Sequence, residues 1–112
     1  MWNCSYDVIM QTSIGARYGT VFVTVNNSKI NGMLNILKKA NPFHGKIDER
    51  GNCQIKGELT TLMRTISYDA TGRITKEALV LSLKGEQESF DISGTASAPV
   101  PVKEQNKFET NQ

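Results

Sequence analysis

The sequence predicts an all-β fold: a small antiparallel meander of about eight strands closed into a β-barrel, with a β-sandwich as the alternative. Apolar and polar residues alternate in short segments, and no long helical pattern interrupts them. Polar turns separate the segments at intervals of about 8–12 residues. Because every connection is short, consecutive strands are expected to pair, and closure removes the two unpaired edges of an open meander.

The clearest unit is the segment 43–59, FHGKIDERGNCQIKGEL. It holds two alternating runs on either side of a turn that contains Gly51, which is typical of a half-buried hairpin. Gly45 and Gly57 fall on its apolar face, where a missing side chain allows another backbone to approach closely. The segment therefore predicts both strand pairing and close packing.

The first part of the chain gives two further strands, at 2–11 and 18–25. The covered face of the first strand is expected to hold Trp2, Cys4, Tyr6, Val8 and Met10. In the second strand, Phe22 falls on the outer side. The segment Ile30–Leu37 fits either a strand or a helix, and Gly32 with its asparagine neighbours favours the strand.

The pattern after the hairpin predicts a strand at 60–68, a turn at Asp69–Gly72, and strands at 74–83 and 89–96. Strict alternation places Arg64 on the same face as Leu62, Ile66 and Tyr68, toward the interior. A buried guanidinium needs a carboxylate or an anionic ligand beside it. Alternatively, Arg64 lies near a strand end and extends into water.

These segments form one domain, residues 1–96. The remaining residues, 97–112, change to a polar composition that begins with Ser-Ala-Pro-Val-Pro-Val. Pro99 and Pro101 cannot join a central ladder, so the sequence predicts a flexible C-terminal tail.

Composition restricts the classes of function. The chain has 112 residues, of which 38% are hydrophobic and 21% charged, as expected of a single globular domain. Acidic and basic residues are interspersed and the formal net charge is +2, which predicts neither a nucleic-acid nor a membrane partner. No secretory signal pattern and no apolar stretch of about 18 residues occurs. A cytoplasmic location with both cysteines reduced is therefore expected.

No motif predicts catalysis, a metal site or a cofactor. His44 is the only histidine and falls on an outer position, while Cys4 and Cys53 alternate with core residues. No CxxC or HExxH spacing occurs. The loop at 12–19 contains two glycines and Arg17, and its backbone N–H groups are candidates for holding an anion. A plain hairpin connection is the alternative for this loop, and the chain is not expected to be an enzyme.

Three features resemble the calycin-type barrels, which include lipocalins, fatty-acid-binding proteins and avidins. They are Trp2 at the start of the first strand, the meander with recurrent glycines, and Gly94 in the closing strand. The resemblance covers residues 2–96 and concerns architecture. It implies that a ligand in the barrel mouth is worth considering.

The sequence therefore predicts a non-catalytic barrel that binds a small ligand, with an anionic ligand as one candidate. The candidate binding residues are Arg64, Arg17, Tyr68, Tyr6 and Trp2. The alternative is a protein-interaction or self-assembling module. Its basis is the strand from Ala78 to Leu83, which is apolar on both sides, together with the outward Phe22.

Overall fold

A computed structural model describes residues 1–97 and shows a closed barrel of eight antiparallel strands in up-and-down order. The strands are β1 (Trp2–Thr12), β2 (Gly15–Asn26), β3 (Lys29–Ile36), β4 (Lys39–Ile47), β5 (Asn52–Thr60), β6 (Thr65–Ile74), β7 (Ala78–Lys84) and β8 (Ser89–Ala96). Pairing of β8 with β1 completes the barrel. The described part of the chain contains no helix that could cross a membrane. Apart from Ser97, the predicted tail lies outside the described residues.

One cluster of 21 buried residues, contributed by all eight strands, fills the interior. The inward face predicted for β1 is confirmed, with Tyr6, Val8 and Met10 buried. Phe22 faces outward and is 43% exposed, as predicted. Removal of these aliphatic and aromatic side chains from water is the main force that stabilises the barrel.

Two aromatic side chains pack over glycines inside the barrel. The register places Phe43 opposite Gly32 on one side and Gly57 on the other, and Tyr68 is also opposite Gly57. A Cβ atom at Gly57 would lie 2.7 Å from the Tyr68 hydroxyl oxygen and 3.0 Å from the Phe43 Cβ. The glycines therefore leave the space that the two rings occupy, as in aromatic–glycine pairs of other sheets.

The segment Ile30–Leu37 is a strand over most of its length, which confirms the favoured interpretation. The strand ends at Ile36, and Leu37 and Lys38 form a turn in which both residues have a positive φ, 55° and 63°.

The strand boundaries after residue 60 differ from the prediction. Residues 61–64 form a turn in which the Thr61 N–H donates to the Arg64 carbonyl at 2.8 Å. Leu62, expected inside, is 93% exposed. The predicted turn at Asp69–Gly72 is wrong, because β6 continues through it and pairs on both sides with β5 and β7. Local turn preferences of Asp and Gly are overridden here by cross-strand pairing.

Because the meander runs up and down, alternate turns lie at the same end of the barrel. The turns β2–β3, β4–β5 and β6–β7, with the start of β1, form the end that we call the mouth. The turns β1–β2, β3–β4, β5–β6 and β7–β8 form the opposite end, which we call the far end.

Candidate functional site

The mouth contains an open cleft with a volume of about 1010 Å³. Buried side chains of Val25, Ile47 and Ile74 form its apolar floor. Its rim consists of Trp2 and the three polar turns of this end. An apolar floor with a polar rim is the usual construction of a small-molecule site.

The β4–β5 turn is ordered by the Asp48 carboxylate. This group accepts hydrogen bonds from the backbone N–H groups of Arg50 at 2.8 Å and Asn52 at 2.9 Å. Desolvation acts to raise the pKa of Asp48, but hydrogen bonds from Asn52, Arg50 and Gly51 outweigh it and hold the pKa below its ordinary value. Gly51 has a φ of 92°, a conformation that favours glycine. The side of the cleft formed by this turn is therefore fixed.

The β6–β7 turn is held by the inner face of β1. The Tyr6 hydroxyl donates a hydrogen bond to the Thr75 carbonyl, and the Cys4 thiol donates one to the Lys76 carbonyl at 3.6 Å. Burial, more than any neighbouring group, raises the pKa of Tyr6 far above its usual range, so the hydroxyl keeps its proton. Within the turn, the Thr75 hydroxyl oxygen accepts from the N–H groups of Glu77 and Ala78.

Among the described residues, the charged side chains that line the cleft are the cations of Arg50, Arg73 and Lys76 and the carboxylates of Asp48 and Glu49. The Asp48 carboxylate is already occupied by hydrogen bonds from its own turn. The Arg73 Nε donates to the Arg50 carbonyl at 2.8 Å, which orients the guanidinium at the rim. The Lys76 ammonium lies 5.9 Å from the centroid of the Trp2 ring, within cation–π distance. An aromatic face beside two oriented cations suits a planar ligand that carries a negative charge.

The structure separates the five candidate binding residues. Trp2 lines the cleft, and Tyr6 lies buried below it, where it supports the β6–β7 turn. Arg17 and Arg64 lie at the far end. Tyr68 packs inside the barrel wall, where burial raises its pKa to about 12.

Of the two positions considered for Arg64, the structure shows the one near a strand end, and the side chain does not point into the barrel. The residue ends the β5–β6 turn, and its guanidinium pairs with the Glu88 carboxylate of the β7–β8 turn. Alternation ceases to indicate direction once the chain leaves the strand, which is why the sequence pattern misplaced this side chain.

Sequence reasoning missed Arg50, Arg73 and Lys76 as residues of the mouth. The information was nevertheless present: in a meander, every second turn lies at the same end. With the turn at 75–77 correctly placed, Lys76 and Arg50 would have been assigned to the same end as Trp2. The misplaced turn at Asp69–Gly72 prevented this assignment.

The other chemically reactive groups are dispersed. His44 lies on the outer wall opposite Lys56, whereas Cys53 is buried inside, and burial raises the pKa of its thiol to about 11. The barrel wall therefore separates the histidine from this thiol. Within residues 1–97, no group of three or more His, Cys, Asp or Glu side chains is arranged to hold a metal ion.

Comparisons with models of protein families, with curated proteins and with solved structures found no match to this chain.

Proposed function

We propose that the protein is a non-catalytic, calycin-like barrel that binds a small anionic ligand with a planar group in the cleft at its mouth. The observation that carries the proposal is the position of Trp2 in this cleft together with Arg73 and Lys76. The ring offers a face for stacking, and the two cations offer charge-assisted hydrogen bonds.

The filled interior supports a site at the mouth rather than in the centre of the barrel. Barrels of eight strands are just wide enough for their own side chains, and here a single buried cluster occupies that space. The turns around the cleft are fixed by hydrogen bonds before any ligand arrives, which reduces the entropy lost on binding.

Trp2 is the only tryptophan in the chain, so its fluorescence reports directly on this cleft. We expect the aromatic sulfonate 1-anilinonaphthalene-8-sulfonate to quench Trp2 emission by energy transfer. Arg73→Gln is expected to weaken binding at least tenfold, because a hydrogen bond to a charged group contributes roughly 1.5–3 kcal/mol. The measurement is a fluorescence titration, accompanied by native mass spectrometry of the protein from its own host to detect a retained ligand.

Lys84→Gln is the matched control, since it removes one positive charge from an exposed position at the far end. Its dissociation constant should equal that of the unmodified protein. Equal affinities for Arg73→Gln and Lys84→Gln would contradict a site at the mouth.

A second candidate function, self-assembly, is favoured by the register of the outer wall. Tyr18 lies opposite Ile9, Ile9 opposite Ser93, and Ser93 opposite Val80, so three apolar side chains form one row across β2, β1, β8 and β7. Tyr18 is 75% and Val80 59% exposed. An apolar row of this kind is a candidate surface for contact with a second copy.

If this row forms a dimer, Val80→Lys should convert the dimer to a monomer at micromolar concentration, because an ammonium would be buried in the contact. Light scattering after size-exclusion chromatography measures the mass directly. Lys84→Gln again serves as control. A monomeric unmodified protein would exclude this candidate and leave the ligand proposal unaffected.

A further inference from the structure

The far end of the barrel differs from the mouth in the residues at the tips of its turns. Ile14 in the β1–β2 turn is 79% exposed, and Leu62 and Met63 in the β5–β6 turn are 93% and 89% exposed. The three turns of the mouth carry only polar residues and glycine: Asn27, Ser28, Asp48, Glu49, Arg50, Gly51, Thr75, Lys76 and Glu77. Among the described turns, large apolar side chains therefore project into water only at the far end; at the mouth the one strongly exposed large apolar side chain is that of Met1, which precedes β1 and is 86% exposed.

Hydrogen bonds fix both apolar tips in place. The Thr12 hydroxyl oxygen accepts from the Ile14 N–H at 3.2 Å, and its hydroxyl donates to the Gly15 carbonyl. The Thr61 hydroxyl oxygen likewise accepts from the N–H groups of Met63 and Arg64. Because these hydrogen bonds fix the backbone of both turns, Ile14, Leu62 and Met63 cannot turn toward the interior unless the bonds break. Their exposure is therefore a property of the folded barrel.

Positive charge accompanies the apolar tips. The β1–β2, β3–β4 and β5–β6 turns, taken with the strand residue on either side, contain Lys38, Lys39 and Arg64 and no carboxylate. The acidic residues of this end, Glu86 and Glu88, lie in the β7–β8 turn, where Glu88 pairs with Arg64. Lys38 and Lys39 therefore provide a cationic edge between the two apolar tips.

We propose that the far end docks on an anionic lipid bilayer, with Ile14, Leu62 and Met63 inserted among the lipids and Lys38 and Lys39 on the headgroups. In an eight-stranded meander, the β1–β2 and β5–β6 turns lie on opposite sides of the rim. Two convex tips separated in this way meet a broad, deformable surface together, whereas a small ligand or a narrow groove would engage only one. The combination of apolar insertion and basic charge is the one that anionic membranes attract.

Tyr18 fits the same geometry. It lies on the outer face of β2, three residues from Gly15, and is 75% exposed. Three residues of a strand span about 10 Å. When the tip is inserted, Tyr18 is at the depth of the headgroups, where tyrosine is enriched because its ring is apolar and its hydroxyl polar.

This proposal departs from the expectation drawn from the sequence, in which interspersed charges predicted no membrane partner. The sequence pattern does not show that Ile14, Lys38 and Leu62 lie at the same end, because they belong to different hairpins. Only the folded barrel brings their turns together.

The test is co-sedimentation of the full chain with large unilamellar vesicles of phosphatidylcholine containing one quarter phosphatidylserine. We expect binding that falls as salt rises and is weak on pure phosphatidylcholine. Leu62→Ser/Met63→Ser should lower the partition coefficient at least tenfold, and these exposed positions can change without unfolding the barrel. Lys38→Gln/Lys39→Gln should lower it about 25-fold, since each basic residue near an anionic surface contributes roughly a factor of five.

Matched controls come from the wall and the mouth. Val80→Ser removes an exposed apolar group from the wall, and Lys29→Gln removes a charge from an exposed position at the mouth end of β3; both should bind vesicles as the unmodified protein does. Trp2 emission should not shift to the blue, because Trp2 lies at the opposite end.

Three outcomes would overturn the proposal. They are the absence of binding to serine-containing vesicles at low salt, equal binding by Leu62→Ser/Met63→Ser and Val80→Ser, and a vesicle-free oligomer that dissociates in the Leu62→Ser/Met63→Ser variant. The last outcome would assign the tips to contact with a second copy.

Discussion

Gly45→Ala is expected to lower the free energy of unfolding by about 3 kcal/mol, near the upper range for inserting a methyl group into a packed site. Gly45 is the middle residue of the β4–β5 ladder, which contains five residue pairs, Phe43 to Ile47 on β4. A Cβ atom there would collide with the Gln54 carbonyl oxygen and lie 2.8 Å from the Ile55 Cα. Both are backbone atoms of β5, so relief of the collision requires the strands to separate.

Urea unfolding followed by circular dichroism measures this change. Ala40→Gly is the control, because it makes the reverse substitution at an exposed position of the same strand. It should lower the free energy of unfolding by no more than about 1 kcal/mol. If Gly45→Ala lowers the free energy of unfolding no more than the control does, the backbones of β4 and β5 do not lie in close contact at Gly45.

Asn41→Asp is expected to destabilise the barrel by about 3 kcal/mol at neutral pH, because it places a charge in a buried site. Apart from tyrosine and cysteine, Asn41 is the one buried side chain with a polar group among the described residues, and it is 2% exposed. Its Nδ2 donates to the carbonyls of Leu34 at 3.0 Å and Lys39 at 3.2 Å. Its Oδ1 accepts from the Thr60 N–H at 2.9 Å. The side chain thus bridges β3, β4 and β5 beyond the point where the β4–β5 ladder ends.

The stability of this variant should depend on pH. A carboxylate facing two carbonyl oxygens in a buried site has a folded-state pKa above its unfolded value of about 3.9. Stability is therefore greatest below that value, where the carboxyl is protonated in both states, and falls as pH rises through the folded-state pKa. Asn41→Ala loses the two hydrogen bonds donated by Nδ2, as Asn41→Asp does, and also the one accepted by Oδ1, but it adds no charge. Its loss of stability relative to the unmodified protein should therefore not increase as pH rises. Parallel pH profiles for the two variants would refute the explanation by buried charge.

The fold was predictable because its main determinant is a local pattern. Alternation along β1 correctly placed Tyr6 and Met10 inside, and the Gly51 turn joins β4 and β5 as expected. Closure also followed from the number of strands and the short connections. Binary patterning acts residue by residue, and a single sequence therefore contains it in full.

The candidate site was less predictable, because its residues come from turns that are distant in sequence. Only Trp2 of the five predicted binding residues lines the cleft at the mouth, whereas Arg17 and Arg64 belong to the far end. The error arose at turns, where alternation gives no direction and where Asp69–Gly72 has the composition of a turn but pairs on both sides. Cross-strand pairing decides such cases, and it involves residues that the local pattern does not include.

The sequence by itself determined the number of strands, the inward faces up to residue 59 and the closure of the barrel, since each follows from the preference of apolar side chains to leave water. Only the tertiary structure decided the contents of the two ends. The up-and-down path gathers Trp2, Arg73 and Lys76 at the mouth, and Ile14 and Leu62 at the far end. The physical reason is that the ends are defined by strand register and turn position, which depend on pairing between strands and not on the pattern within any one of them.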